Sequence, residues 1–123
     1  MKKTIMVVDD ETHIVQLLQI ILKEEGYNVI PVHTAKECLE LLKTKKPDLL
    51  LLDVMMPDMN GKELCKKIRE DPKTKDLRIA FLSILRKEEV GTDFFQSMGL
   101  KGHITKPFER DELVKKIKEF LAE

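Results

Sequence analysis

Short apolar runs and longer amphipathic runs alternate from one end of the chain to the other. Strands buried on both faces read as unbroken hydrophobic stretches, and the crossover between two parallel strands is usually a helix. The alternation therefore predicts an α/β sandwich built on a parallel sheet. The expected strands are TIMVV (4–8), YNVIPV (27–32), DLLLLD (48–53), RIAFLS (78–83) and KGHIT (101–105). Leucine is not a strong strand former, so DLLLLD is assigned by its shortness and flanking prolines rather than by propensity. Pro31 cannot donate to a ladder, which places the second strand at a sheet edge.

The helices follow from a different spacing. Ile14, Leu17, Leu18, Ile21 and Leu22 fall on one helical face, and Gly26 closes that segment. Thr34, with Glu37 three residues on, opens the second helix as a capping box. Leu64, Cys65 and Ile68 point inward from a helix over 60–71, and Leu113, Val114, Ile117 and Leu121 line the closing one. Residues 89–99 make a poor helix, with Gly91 near its start. Five strands and five helices fit one domain over 1–123.

Composition narrows the function. The chain has 22 Lys plus Arg and 22 Asp plus Glu, so it has no global basic field for direct nucleic-acid binding. Lys66-Lys67 and Lys115-Lys116 read as solvated helix faces. Cys38 and Cys65 lack metal-ligand spacing and read as reduced, buried or half-buried thiols of a cytoplasmic protein. No apolar run approaches the roughly 18 residues of a membrane span. The N-terminus turns acidic too early for a signal peptide. The last helix closes the sequence, so no output domain is expected after it.

The polar residues gather at one end of the expected sheet. The first strand runs into Asp9-Asp10, the third into Asp53, the fourth into Ser83, and the fifth through Thr105 into Lys106. In open α/β sheets the ligand crevice lies beyond the carboxyl ends of the strands. Asp53 can thus sit at the lip of the crevice above the leucines rather than among them. Each residue has a plainer reading alone: Asp10 as a helix cap, Ser83 as a turn hydroxyl, Lys106-Pro107 as an ordinary turn. Together they assemble three carboxylates, a hydroxyl and an ammonium. The carboxylates would repel unless a hard divalent cation such as Mg²⁺ joined them. That set suits in-line phosphoryl transfer onto an aspartate.

VVDDE (7–11), LLLLDVMMPDMNG (49–61), FLS (81–83) and ITKPF (104–108), in this order and spacing, resemble the receiver domain of two-component response regulators. The resemblance covers essentially the whole chain. It implies a flavodoxin-like, doubly wound five-stranded sheet of order 2-1-3-4-5. It implies Asp53 as phosphoacceptor and Asp10 as direct metal ligand, with Asp9 holding metal-bound water and the Met55 carbonyl completing the Mg²⁺ set. Ser83 and Lys106 would contact the phosphoryl group, Ser83 also as the switch hydroxyl. Lys106-Pro107 is expected to be cis, and Pro57 and Gly61 fit the turn after the acceptor. The implied partners are a sensor histidine kinase or histidine phosphotransfer protein and a downstream target reached through the last strand and its flanking helices.

Three departures from the usual pattern bear on signalling rather than on phosphorylation. His103 stands where an aromatic switch residue is usual. It is either that switch or an exposed strand residue. Bulky Ile84 follows Ser83 and would obstruct an inward swing. Met55 and Leu85 are apolar where side chains often place hydrolytic water, which implies slow self-dephosphorylation. The competing functions are a phosphorelay intermediate, the receiver piece of a longer DNA-binding regulator, a binding-only pseudo-receiver and, remotely, an aspartyl-phosphate hydrolase. The hydrolase typically carries D-x-D after its first strand, where this chain has DDET. The receiver is expected not to be an enzyme beyond promoting its own phosphorylation and dephosphorylation.

Overall fold

The computed structural model describes residues 2–122. Its elements run β1 (Thr4–Val8), α1 (Thr12–Glu24), β2 (Asn28–Val32), α2 (Ala35–Leu41), β3 (Leu49–Leu52), α3 (Gly61–Glu70), β4 (Ile79–Ser83), α4 (Lys87–Val90), α5 (Thr92–Met98), β5 (Gly102–Thr105) and α6 (Arg110–Leu121). The strands are all parallel, in the order β2-β1-β3-β4-β5. This is the expected flavodoxin-like sheet, and Pro31 does lie on an edge strand.

Side-chain alternation splits the core into two layers. Met6, Val8, Leu50, Leu52, Ile79 and Phe81 face one way, against residues of α2, α3 and α5. Ile5, Val7, Leu49, Leu51, Ala80 and Leu82 face the other way, against α1 and α6. The leucine run thus supplies both layers from one strand, which is why it is apolar at every position.

The expected fourth helix is two pieces. Gly91 sits between α4 and α5 at φ 110°, a backbone that side chains rarely adopt, so the helix breaks there. On α1 the buried residues are Val15, Leu18, Ile21 and Leu22, while Leu17 is exposed. The buried arc is therefore turned slightly from the one expected, with Leu17 beyond its rim. Thr34 does accept from the Glu37 N–H (3.0 Å), but the Glu37 carboxylate accepts from His33 N–H (2.9 Å), one residue before the cap. Cys38 and Cys65 are free and buried, and burial pushes their thiols up to about 12 and about 11.

Arg69, in the last turn of α3, ties this framework together. Its guanidinium donates to the carbonyls of Met98 (2.6 Å), Leu77 (2.6 Å) and Lys75 (3.0 Å). It thereby satisfies the end of α5 and the entry to β4 at once. Bonds from a charged donor contribute more than neutral ones, so Arg69→Ala is expected to cost about 1–3 kcal/mol in urea unfolding. Arg69→Lys should recover only part of this, because the fork is lost. A loss under about 0.5 kcal/mol, the range of an ordinary surface change, would remove this role.

Candidate functional site

Backbone ladder bonds run one residue past three strand ends and fix the site. Asp9 N–H donates to the Val32 carbonyl (3.0 Å), Asp53 N–H to the Val8 carbonyl (2.9 Å), and Lys106 N–H to the Ser83 carbonyl (2.8 Å). Val8 pairs with Leu52, so Asp9 and Asp53 emerge side by side. One oxygen from each of Asp9, Asp10 and Asp53 lies within 4.8 Å of the others. Asp9 and Asp53 are buried, whereas Asp10 is exposed. The cap position of α1 belongs to Glu11 rather than to Asp10.

Lys106 enters the cluster from beyond β5, and the Lys106–Pro107 peptide is cis. Its Nζ lies 2.5 Å from Asp9 Oδ2, 2.9 Å from Glu11 Oε1 and 3.6 Å from Asp53 Oδ2. Burial works against its charge, but the carboxylates outweigh that and hold its pKa above the ordinary value. The same contact lowers the pKa of Glu11. Glu11 was not a sequence candidate. The only signal for it was a third acid directly after Asp9-Asp10.

Asp53 is the strained member. Burial first, then the Asp9 carboxylate, push its pKa up to about 6, and Asp10 adds to this. Lys106 and the Met55 N–H, which donates to Asp53 Oδ1 (3.2 Å), oppose the rise without cancelling it. The donor set is hard carboxylate oxygen around a site of excess negative charge, which fits Mg²⁺.

The loop after Asp53 is pinned at several points. Asp58 accepts from Ala35 N–H (3.3 Å) and Lys36 N–H (3.1 Å) at the start of α2. Asn60 caps α3 by accepting from Lys62 N–H (2.7 Å), and Gly61 N–H donates to the Val54 carbonyl (2.7 Å). Met55 leaves its side chain exposed. Leu85, the second apolar residue expected to leave hydrolytic water unplaced, packs against the core layer.

Ser83 is fully buried, and its Oγ accepts from Leu85 N–H (3.2 Å). His103 is also buried, at 8% exposure, rather than standing out as a strand surface residue. Its ring packs edge-on against Phe95 (5.9 Å), and its Nε2 lies 2.7 Å from the Leu85 carbonyl. Ile84 does not obstruct this inward position, because its own side chain is exposed.

A parallel doubly wound sheet with acids beyond β1 and β3, and a hydroxyl and lysine beyond β4 and β5, defines a receiver-type α/β module. The comparisons with known proteins agree. The family model of the response regulator receiver domain matches residues 5–118. The chain belongs to that family, which is a signalling domain of two-component systems. It is 39% identical over 125 residues to the alkaline phosphatase synthesis transcriptional regulatory protein PhoP of Bacillus subtilis. That match covers 98% of this chain but 49% of the relative, so the chain spans about half the relative's length. Among solved structures it is similar to the chemotaxis response regulator CheY4 of Vibrio cholerae (TM-score 0.90, 27% identity, 98% and 100% of the two chains). It is also similar to the response regulator TrrA of Thermotoga maritima in complex with Mg²⁺ and BeF (TM-score 0.83, 34% identity, 97% and 99%). Among the described residues, no helix is long and apolar enough to cross a membrane.

Proposed function

We propose that the chain is a phosphorylation-switched receiver, which takes a phosphoryl group from a phosphohistidine onto Asp53. The observation that carries this reading is a buried carboxylate with its pKa raised to about 6, facing Asp9, Asp10 and Lys106 at the strand ends. At neutral pH Asp53 is largely ionised, so an Oδ lone pair is available to attack phosphorus. An O–P bond forms as the N–P bond to the donor imidazole breaks, and the imidazole takes up a proton. Asp9, Asp10, Asp53 and the Met55 carbonyl are the groups that would hold Mg²⁺, which supplies neutralisation of the phosphoryl oxygens. Lys106 donates to a phosphoryl oxygen, and Ser83 turns its hydroxyl toward another.

The phosphoryl donor is a sensor histidine kinase or a histidine phosphotransfer protein, and the protein acts in the cytoplasm. A second reading has an observation behind it. Because the PhoP relative is a transcriptional regulator about twice as long, the chain also suits the receiver half of a DNA-binding regulator. Contact with DNA would then fall to the other half, since this chain is uncharged overall.

The test is incubation with Mg²⁺ and acetyl phosphate, followed by mapping of the hydroxylamine-labile site. One phosphate per chain at Asp53, absent when Mg²⁺ is chelated, is the expected result. Labelling of the Asp53→Asn variant at the wild-type rate would overturn the assignment. Sustained multiple turnover of acetyl phosphate, with no acyl phosphate trapped, would favour a hydrolase.

A further inference from the structure

His103 and Ser83 are tied to the same residue from opposite sides. Leu85 donates its N–H to Ser83 Oγ (3.2 Å) and offers its carbonyl to His103 Nε2 (2.7 Å). A carbonyl only accepts, so the seated ring must carry its proton on Nε2. Nδ1 is then a bare lone pair. It is buried and has no hydrogen-bond partner in the protein.

Adding a proton to Nδ1 would therefore create a buried, unpaired N–H and a buried charge. The charged groups facing the ring do not compensate. Lys116 of α6 donates to the His103 carbonyl (3.1 Å). Arg86, Lys87 and Glu88 line the groove from the α4 side, and Glu119 lines it from α6. Three cations thus meet two carboxylates, and neither acid bonds Nδ1. Burial accordingly holds the ring's pKa below its ordinary value; the Leu85 bond opposes this, and Lys116 adds to it. Outside the seat lies this open groove of about 470 Å³, where Glu88 and Glu119 would receive an imidazolium.

We propose that His103 is a proton-gated latch: the neutral ring holds Leu85, and through it Ser83, in the arrangement that supports the phosphorylated state, and protonation releases both. His103 is a positioning residue here, acting through the Leu85 backbone. With its Oγ already accepting from Leu85, Ser83 keeps its own proton free to donate to a phosphoryl oxygen. Acid would unseat the ring and free that segment. Linkage makes the effect reciprocal, so occupation of the phosphoryl site must make His103 harder to protonate. The proposal rests on the receiver reading above.

The experiment follows the His103 imidazole by nitrogen-detected NMR titration, with and without Mg²⁺ and beryllofluoride as the acyl-phosphate mimic. The Nε2–H tautomer is expected in the free protein. The mimic should lower the His103 midpoint by a further 0.7 unit or so, equivalent to about fivefold coupling. In parallel, mimic affinity is measured from about pH 7.5 to about pH 5.5, a range in which histidine titrates. Wild type should lose about two- to threefold more affinity than His103→Phe, which retains the Asp53 titration but has no titrating ring, because the full fivefold is reached only below both His103 midpoints. An Nδ1–H tautomer, a midpoint that the mimic leaves unchanged, or equal pH profiles for both proteins would overturn the latch. In those cases binding near pH 7.5 would still uphold the receiver reading. Absence of mimic binding at Asp53 at every pH would overturn both. The wild-type titration stands alone if His103→Phe fails to fold.

Discussion

Asp53→Asn, the change expected to abolish phosphorylation, is also expected to make the unmodified protein more stable at neutral pH. The reason is the ledger of charges around one buried group. Asp53 is 4% exposed, and the carboxylate of Asp9 beside it is fully buried. Lys106 is the cation close to both, yet it lies nearer to Asp9 (2.5 Å) than to Asp53 (3.6 Å). Asp53 therefore bears most of the uncompensated repulsion, and its pKa stands at about 6 against an ordinary 3.8. A rise of that size corresponds to roughly 3 kcal/mol of penalty on the ionised form at pH 7. Asparagine keeps the shape and an acceptor for the Met55 N–H while removing the charge. Allowing for relaxation around the buried charge, the expected gain is about 1–3 kcal/mol in metal-free urea unfolding.

The pH dependence gives this expectation a sign. The native state binds the Asp53 proton more tightly than the unfolded chain does. The penalty is therefore absent below about pH 4, grows through about pH 6, and is complete above it. Wild type and variant should converge in acid and separate as pH rises. Mg²⁺ should narrow the gap at pH 7, because it binds the native cluster that still has all its carboxylates. A variant no more stable than wild type at pH 7 in the presence of a chelator would show that Asp53 carries no such strain.

Much of the site was legible because strand direction and polar position are both linear properties. A buried strand must end where its apolar run ends, and Asp9, Asp53, Ser83 and Lys106 all fall at such ends. The strand order was not legible from the residues. It came with the family resemblance, since local spacing does not say which strands pair. Helical periodicity identified an apolar face on α1 but not its rotation, so Leu17 was placed inward where Val15 is the buried residue. Gly91 was visible as a weakness in the fourth helix, yet a glycine does not reveal whether the chain bends or breaks there. The Glu11–Lys106 pair joins residues far apart in sequence and depends on where the sheet order places the ends of β1 and β5. His103 was ambiguous for a similar reason. A histidine on an edge strand can face water or Phe95, and only the packing of α5 over β5 decides between them.

Gly61→Ala is expected to cause the largest loss of both stability and phosphorylation among single-methyl changes. Gly61 begins α3, and its backbone is not in the left-handed region, so the requirement for glycine is one of space. A Cβ at this position would lie 2.4 Å from the Asp53 carbonyl oxygen and 2.7 Å from Val54 Cα. Both are backbone atoms in the turn that carries Asp53, so neither can rotate aside. Either α3 must retreat or the Asp53 turn must shift by about 1 Å, and overpacking of this kind costs 1–3 kcal/mol or more. A displacement of that size at the reacting group can lower a rate by about 100-fold. Gly102→Ala is the control, because its Cβ would meet the Phe120 ring of α6 at 2.6 Å, a side chain rather than the Asp53 backbone. That variant should lose about 1 kcal/mol and keep its phosphorylation rate. Urea unfolding, together with acetyl phosphate labelling of the fraction that remains folded, separates the two effects. If Gly61→Ala unfolds and labels like wild type, close approach of α3 to the Asp53 backbone is not what holds Asp53 in place.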